Sequence, residues 1–191
     1  MPNTGRRNPV NIAYLICQPT NSMNPIDSYD SVLYELPDTA VADLLRLGYG
    51  VNQADLCGKF LLTVACSRLQ LQNVLLLLSS GANTELHDPD GDTALLCTID
   101  VSHHNPVAAY DIVKALIDAG ADIEPRGWMD KTPFLKACSR GCLEILQLLV
   151  SRGCNIHAEA RDATNTSGPD LASIFNTSEA FQRYVRSLYP L

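Results

Sequence analysis

The chain has 191 residues, 46% of them apolar and 18% charged, which suits one globular domain with a real core and argues against disorder. Lys and Arg number 14 against 21 Asp and Glu, a net charge of −7, which excludes a binder recruited to phosphate backbones by bulk charge; Arg6-Arg7 is too short to change that. The apolar run from Val74 to Leu78 is far too short to cross a bilayer, and the stretch from Val10 to Cys17, broken by Asn11 and followed by Gln18-Pro19-Thr20, is not expected to act as a signal peptide.

In chain order, the apolar stretch Val10 to Cys17 lies between Pro9 and Pro19 and falls outside any periodic pattern. It reads as an arm packed over the first structural unit or as a mobile tail. Next come two short helical segments, roughly Ser28 to Leu36 and Asp38 to Leu47, closed by Gly48. From there the chain repeats itself. Leu77-Leu78-Ser79-Ser80-Gly81, Leu116-Ile117-Asp118-Ala119-Gly120 and Leu149-Val150-Ser151-Arg152-Gly153 each end an apolar stripe of helical period. Gly48, Gly81, Gly120 and Gly153 are spaced by 33, 39 and 33 residues. A glycine in that place supplies the left-handed conformation that stops a helix. A shorter helix precedes each stripe: Phe60 to Ser67, Thr93 to Val101 and Thr132 to Ser139. The six extra residues of the middle unit, Ser102 to Val107, lie between its helices, where Pro106 either starts the second helix or extends the turn. Units this short cannot bury their apolar faces alone, so they must stack as a solenoid.

At these residues the chain resembles the ankyrin repeat family, whose unit carries D-x-x-G-x-T-P-L-H-x-A near its start and L-L-x-x-G-A after its second helix. Asp55, Gly58, Leu62, Ala65, Leu77-Leu78 and Gly81-Ala82 match in one unit; Asp88, Gly91, Thr93, Leu95, Leu116 and Gly120-Ala121 in the next; Thr132-Pro133, Ala137, Gly141, Leu149 and Gly153 in the third. The resemblance implies an all-α ankyrin-repeat solenoid of stacked helix-turn-helix units with projecting loops or short hairpins. It divides the chain into an N-terminal arm (1–26) and a repeat domain (27–191), with a degenerate repeat at 27–54, repeats at 55–87, 88–126 and 127–159, and a cap at 160–191. No unit keeps the Thr-Pro-Leu-His tetrapeptide whole, which implies weaker cohesion between loops. Gly127 and Asp130 stand in the Asp and Gly slots of the third unit, so that loop is not expected to make the usual turn. The helical face of Glu179, Gln182, Arg183 and Arg186 suits a solvated cap.

The chemistry is sparse. There are seven cysteines, of which only Cys138 and Cys142 are close in sequence, so reduced, mostly buried thiols are expected and neither a disulfide framework nor a metal site is. No phosphate-cradling glycine loop, G-x-S-x-G elbow or H-E-x-x-H motif is present. His87 and His157 fall in loop slots, and the adjacent His103 and His104 would diverge on a helix. No cofactor is expected.

The resemblance places the binding surface on the loop tips and first helices. The slots facing it carry Leu56, Cys57, Lys59, Ser67, Arg68 and His87 in one unit, Pro89, Asp90, Asp92, Asp100 and Val101 in the next, and Trp128, Met129, Lys131, Ser139 and Arg140 in the third. Trp128, the sole tryptophan, is either a partner anchor or packing against a neighbouring loop or the insertion. Asp90, Asp92 and Asp100, flanked by Lys59, Arg68, Lys131 and Arg140, form either a merely soluble surface or an acidic groove that steers a basic segment. The leading expectation is a monomeric, cytoplasmic or nuclear protein-interaction module, an adaptor or inhibitor without chemistry of its own. It binds neither nucleic acid nor membrane, and its partner residues are Trp128, Met129, Lys131, Arg140, Asp90, Asp92, Asp100, His87, Lys59 and Arg68. The alternative is an enzyme or small-ligand binder using Asp92, Asp100 and His87 as acid–base groups in a concave pocket. A third possibility is a fragment completed by repeats on another chain.

Overall fold

The computed structural model describes residues 29–35, 40–161, 165–175 and 177–189. The expected arm, and the predicted helix ends at Ser28, Leu36 and Asp38, lie outside them. Ten α-helices occur among the described residues: α1 (Tyr29–Glu35), α2 (Ala40–Arg46), α3 (Leu61–Ser67), α4 (Leu71–Ser79), α5 (Ala94–Asp100), α6 (Pro106–Asp118), α7 (Pro133–Arg140), α8 (Leu143–Ser151), α9 (Gly168–Ile174) and α10 (Glu179–Ser187). Among the described residues, extended pairing is limited to two isolated antiparallel bridges, Ala54 with Phe60 and Glu159 with Ser167. The all-α solenoid expected from the repeats is what folds.

Each second helix ends as its sequence dictates. At the close of α4, Gly81 takes φ 84°, donates its N–H to Leu78 C=O, and lets Ala82 N–H reach back to Leu77 C=O. These two bonds satisfy carbonyls that the helix leaves open. The same pair recurs after α6 and α8. Helix starts are equally local. Thr132 accepts the Leu135 N–H at the start of α7, Asn105 accepts the Ala108 N–H before α6, and Ser167 and Asp170 cap α9 reciprocally. Pro106 therefore opens α6 at its first helical position rather than prolonging the turn. Of the inserted residues only Pro106 and Val107 lie in that helix, which has 13 residues where α4 and α8 have 9.

The core explains the two kinds of helix. First helices are sandwiched between neighbours, and in α5 every residue from Ala94 to Ile99 is buried. They pack more closely on one another than the second helices do, so the stack curves toward the first-helix side. Second helices bury one stripe only, such as Ile145, Leu146 and Leu149 of α8. At one end, Tyr29 and Leu33 of α1 are buried, and Tyr29 is pinned by its N–H to Asp55 Oδ2 at 2.8 Å and its hydroxyl to Gln53 C=O at 3.1 Å. Burial and the Asp55 charge raise the Tyr29 phenol to about 12. At the other end, α10 buries Phe181 and Val185 and exposes Glu179, Arg183 and Arg186. Tyr189 donates its hydroxyl to Ile156 C=O.

The missing histidines do not leave the junctions untied. Asn52 Oδ1 accepts the Asn83 N–H at 2.7 Å, Glu85 Oε1 accepts the Asp122 N–H at 3.1 Å, and Glu124 Oε1 accepts the Asn155 N–H at 2.6 Å. Each acceptor lies four residues after a closing glycine, and each donor two residues after the next one. One side chain therefore stitches each unit to its successor.

Candidate functional site

The loop tips are built on one turn, made in two ways. In the first full unit Asp55 Oδ1 accepts the N–H groups of Cys57 (2.9 Å) and Lys59 (2.8 Å). In the second, Asp88 Oδ1 accepts those of Asp90 (3.0 Å) and Asp92 (2.8 Å). A short side-chain acceptor at the first position thus holds each turn. Contrary to the sequence expectation, the third loop makes the same turn: Gly127 N–H reaches Lys131 C=O at 3.1 Å and Asp130 N–H reaches Gly127 C=O at 2.9 Å. Asp130 takes φ 56° where the other units have glycine, and Met129 beside it takes φ 57°. Non-glycine residues hold this conformation only where their surroundings impose it.

Here the surroundings are explicit. Arg126 Nη1 donates to Asp130 C=O (2.8 Å), to Asp130 Oδ2 (2.9 Å) and to Glu159 C=O (3.2 Å). Arg161 Nε lies 3.1 Å from the same carboxylate. From the preceding unit, Asp92 Oδ1 accepts the Trp128 N–H at 2.9 Å. A Cβ on Gly127 would sit 1.9 Å from that oxygen and 2.6 Å from Leu96 Cδ1, so the Asp92 carboxylate and the Leu96 methyl fill the space of the absent side chain.

Asp92 is itself held. Its Oδ2 accepts from Lys136 Nζ at 2.5 Å, and Lys136 also reaches Asp100 Oδ2 at 2.7 Å. Arg140 Nη2 completes the row at 3.2 Å from Asp100 Oδ1. Lys136 is 2% exposed and Asp92 6%. Unpaired charges at such a depth would be too costly to keep.

These contacts correct two of the expected site residues. Asp92 is not a groove-lining carboxylate but an internal one, because it serves the Trp128 turn and neutralises Lys136. Lys131 is not on the open face either: it is 9% exposed, with its ammonium 5.6 Å from the Phe175 ring centroid. The acidic groove is thereby dismantled. Asp88 belongs to its turn, Asp92 and Asp100 are paired, and Asp90 is left exposed at its tip. Arg140, Arg68 and His87 are exposed as expected, and Lys59 is half-buried. The Arg68 guanidinium lies 5.5 Å from the Tyr34 ring centroid.

The Trp128 residue surface is 60% exposed, and Met129 beside it is exposed too. Sequence reasoning missed Lys136, which joins the second and third units. It also missed Arg126 as the pin of the Trp128 loop.

Other groups stand apart. A depression of about 350 Å³ between second helices is lined by Tyr110, Glu144, Gln147, Leu148 and Ser151. Another of about 340 Å³ beneath the third loop is lined by Arg126, Asn155, His157, Glu159 and Arg161, among others. Neither is lined by His87, Asp92 or Asp100. Of the six cysteines among the described residues, Cys57 alone is exposed. Burial raises Cys66 to about 12 and Cys154 to about 11, and pushes Cys97 and Cys138 higher still. His103 and His104 lie in a turn rather than on a helix, with ring centroids 3.9 Å apart.

Residues 74–162 match the family model for ankyrin repeats, which holds three copies. Residues 74–162 carry ankyrin repeats. A curated mouse relative, ankyrin repeat and SOCS box protein 16, is 33% identical over 100 residues, covering 49% of this chain and 21% of the relative. The ankyrin match thus spans about a fifth of that protein's length. Ankyrin repeats are protein–protein interaction modules, and the family is generally non-catalytic. Among the described residues, no helix is long and apolar enough to cross a membrane.

Proposed function

We propose that this ankyrin-repeat chain binds another protein through its loop tips and the adjoining first-helix face, with Trp128 and Met129 as the anchor. One observation carries the reading: a solvent-facing indole on a loop whose two left-handed residues are held by Arg126, Arg161 and Asp92. Large aromatics are enriched where binding energy concentrates, and a rigid anchor loses little entropy on docking. His87, Asp90, Arg68 and Arg140 are exposed and offer further polar contacts. Binding without bond-making gives the chain the role of an adaptor or an inhibitor, and these separate by whether the partner's own activity persists in the complex. The buried thiols of Cys66, Cys97, Cys138, Cys142 and Cys154 suit a reducing compartment, the cytoplasm or nucleus. Similarity to the mouse relative is confined to a fifth of it, so it supports a binding module and no other part of that protein's activity.

The test is capture of partners from lysate on immobilised wild type and on Trp128→Ala, followed by affinity measurement with the purified captured protein. A central anchor is worth about 2 kcal/mol or more, roughly 30-fold in Kd. Unfolding should move by less than about 0.5 kcal/mol, since the side chain is exposed. An unchanged Kd, or a large loss of stability, removes Trp128 from the interface.

A further inference from the structure

We propose that the buried pair Asp92–Lys136 is the positioning element of Trp128, a turn cap supplied by one repeat to the next. Three facts carry this. The third loop has no acceptor of its own at its first position, because Gly127 stands where Asp55 and Asp88 hold the other turns. Asp92 Oδ1 bonds the Trp128 N–H at 2.9 Å and occupies the place of a Gly127 side chain, 1.9 Å from its ideal Cβ. Lys136 Nζ, 2.5 Å from Asp92 Oδ2, fixes the other oxygen of that carboxylate, so the cap cannot swing away. Met129 and Asp130 then sustain positive φ in succession without a glycine. The Trp128 backbone is thus held by a carboxylate 36 residues upstream as well as by Arg126 within its own loop. The consequence for partner affinity rests on the proposed function; the positioning itself does not.

Trp128 is the sole tryptophan, so intrinsic fluorescence reports this one side chain without a partner present. The experiment is time-resolved anisotropy on the full chain. Asp92→Ala should raise the amplitude of fast local indole motion at least twofold while far-UV circular dichroism keeps the helices. Gly127→Ala tests the same cap with the ion pair's residues left in place: its methyl displaces the carboxylate from the Trp128 N–H, and the same rise is expected. The exchange Asp92→Ala with Gly127→Asp returns an acceptor to the loop's own first position. It should restore slow, whole-molecule anisotropy although Lys136 still lacks one partner. A merely structural pair predicts otherwise: mobility would follow stability, and the exchange would rescue neither. Unchanged indole motion in a folded Gly127→Ala, or in a folded Asp92→Ala, overturns the proposal. If Asp92→Ala does not fold, Gly127→Ala and the exchange variant decide it. A mobile indole in the variants with no change in partner Kd would keep the positioning role and sink the Trp128 interface instead.

Discussion

Replacing Lys136 by methionine keeps most of the side chain's volume and deletes its charge. Asp92, 6% exposed, then keeps a negative charge with the Trp128 N–H still bonded to its Oδ1. Asp100 suffers less, because it is 32% exposed at its side chain and retains Arg140. Breaking a buried pair by removing one partner costs about 3–5 kcal/mol. The surviving Trp128 bond places this case near the lower end, about 3 kcal/mol. For a chain of this size that lowers Tm by about 6–12 °C. The double variant Lys136→Met, Asp92→Asn removes the stranded charge while its amide oxygen still accepts the Trp128 N–H, and should recover more than half of the loss. Urea unfolding followed by circular dichroism measures all three proteins. A single variant within about 1 kcal/mol of wild type, or a double variant no better than the single, refutes the claim that this pair carries its weight through an uncompensated buried charge.

Three other outcomes follow from the packing. Gly168→Ala puts a Cβ 2.6 Å from Phe134 Cε1 and 3.1 Å from Cys138 Sγ; it should cost about 1–3 kcal/mol by overpacking, and an unchanged urea midpoint would show that the C-terminal unit sits more loosely. Alkali should weaken the fold: Cys66 rises from 9.0 to about 12 on folding, and Cys97 and Cys138 rise further. Their thiols stay neutral in the native state while the unfolded chain ionises, so this stability is complete below about pH 9 and is lost as pH climbs toward 12, at about 1.4 kcal/mol per pH unit for each thiol. Urea midpoints at about pH 8 and about pH 10.5 should fall accordingly, and a flat profile contradicts the burial. Maleimide should modify Cys57 in the native protein, whereas Cys66, Cys97 and Cys138 should react only as the chain unfolds; peptide mass spectrometry reads the order, and early loss of Cys66 would place it outside the core.

What the sequence revealed was what is local. Helix stops at Gly81, Gly120 and Gly153 each depend on a few neighbouring residues. The electrostatics of the face were not local. Asp92 and Lys136 are 44 residues apart, and Lys136 in Phe134-Leu135-Lys136-Ala137-Cys138 looks like any cation that a helix carries to solvent. Lys131 was placed on the open face by its slot, whereas the C-terminal unit covers it with Phe175. Two signals were present. A glycine in an Asp slot, one unit after a surplus Asp, marks a cap supplied from outside the loop. The positions four after each closing glycine, Asn52, Glu85 and Glu124, all carry side-chain acceptors at the spacing of the repeat.

The lengthened helix α6 has a consequence for assembly. Units that share one shape can stack in more than one order, and an isolated repeat chain can borrow a neighbour's unit in place of its own. With 13 residues against 9 in α4 and α8, α6 overhangs its neighbours by about one helical turn, roughly 6 Å. Stacked one position early or late, that turn would meet the wrong neighbour or leave the wrong gap. The extra turn therefore sets the middle unit apart from the units on either side of it and narrows the registers in which it can stack.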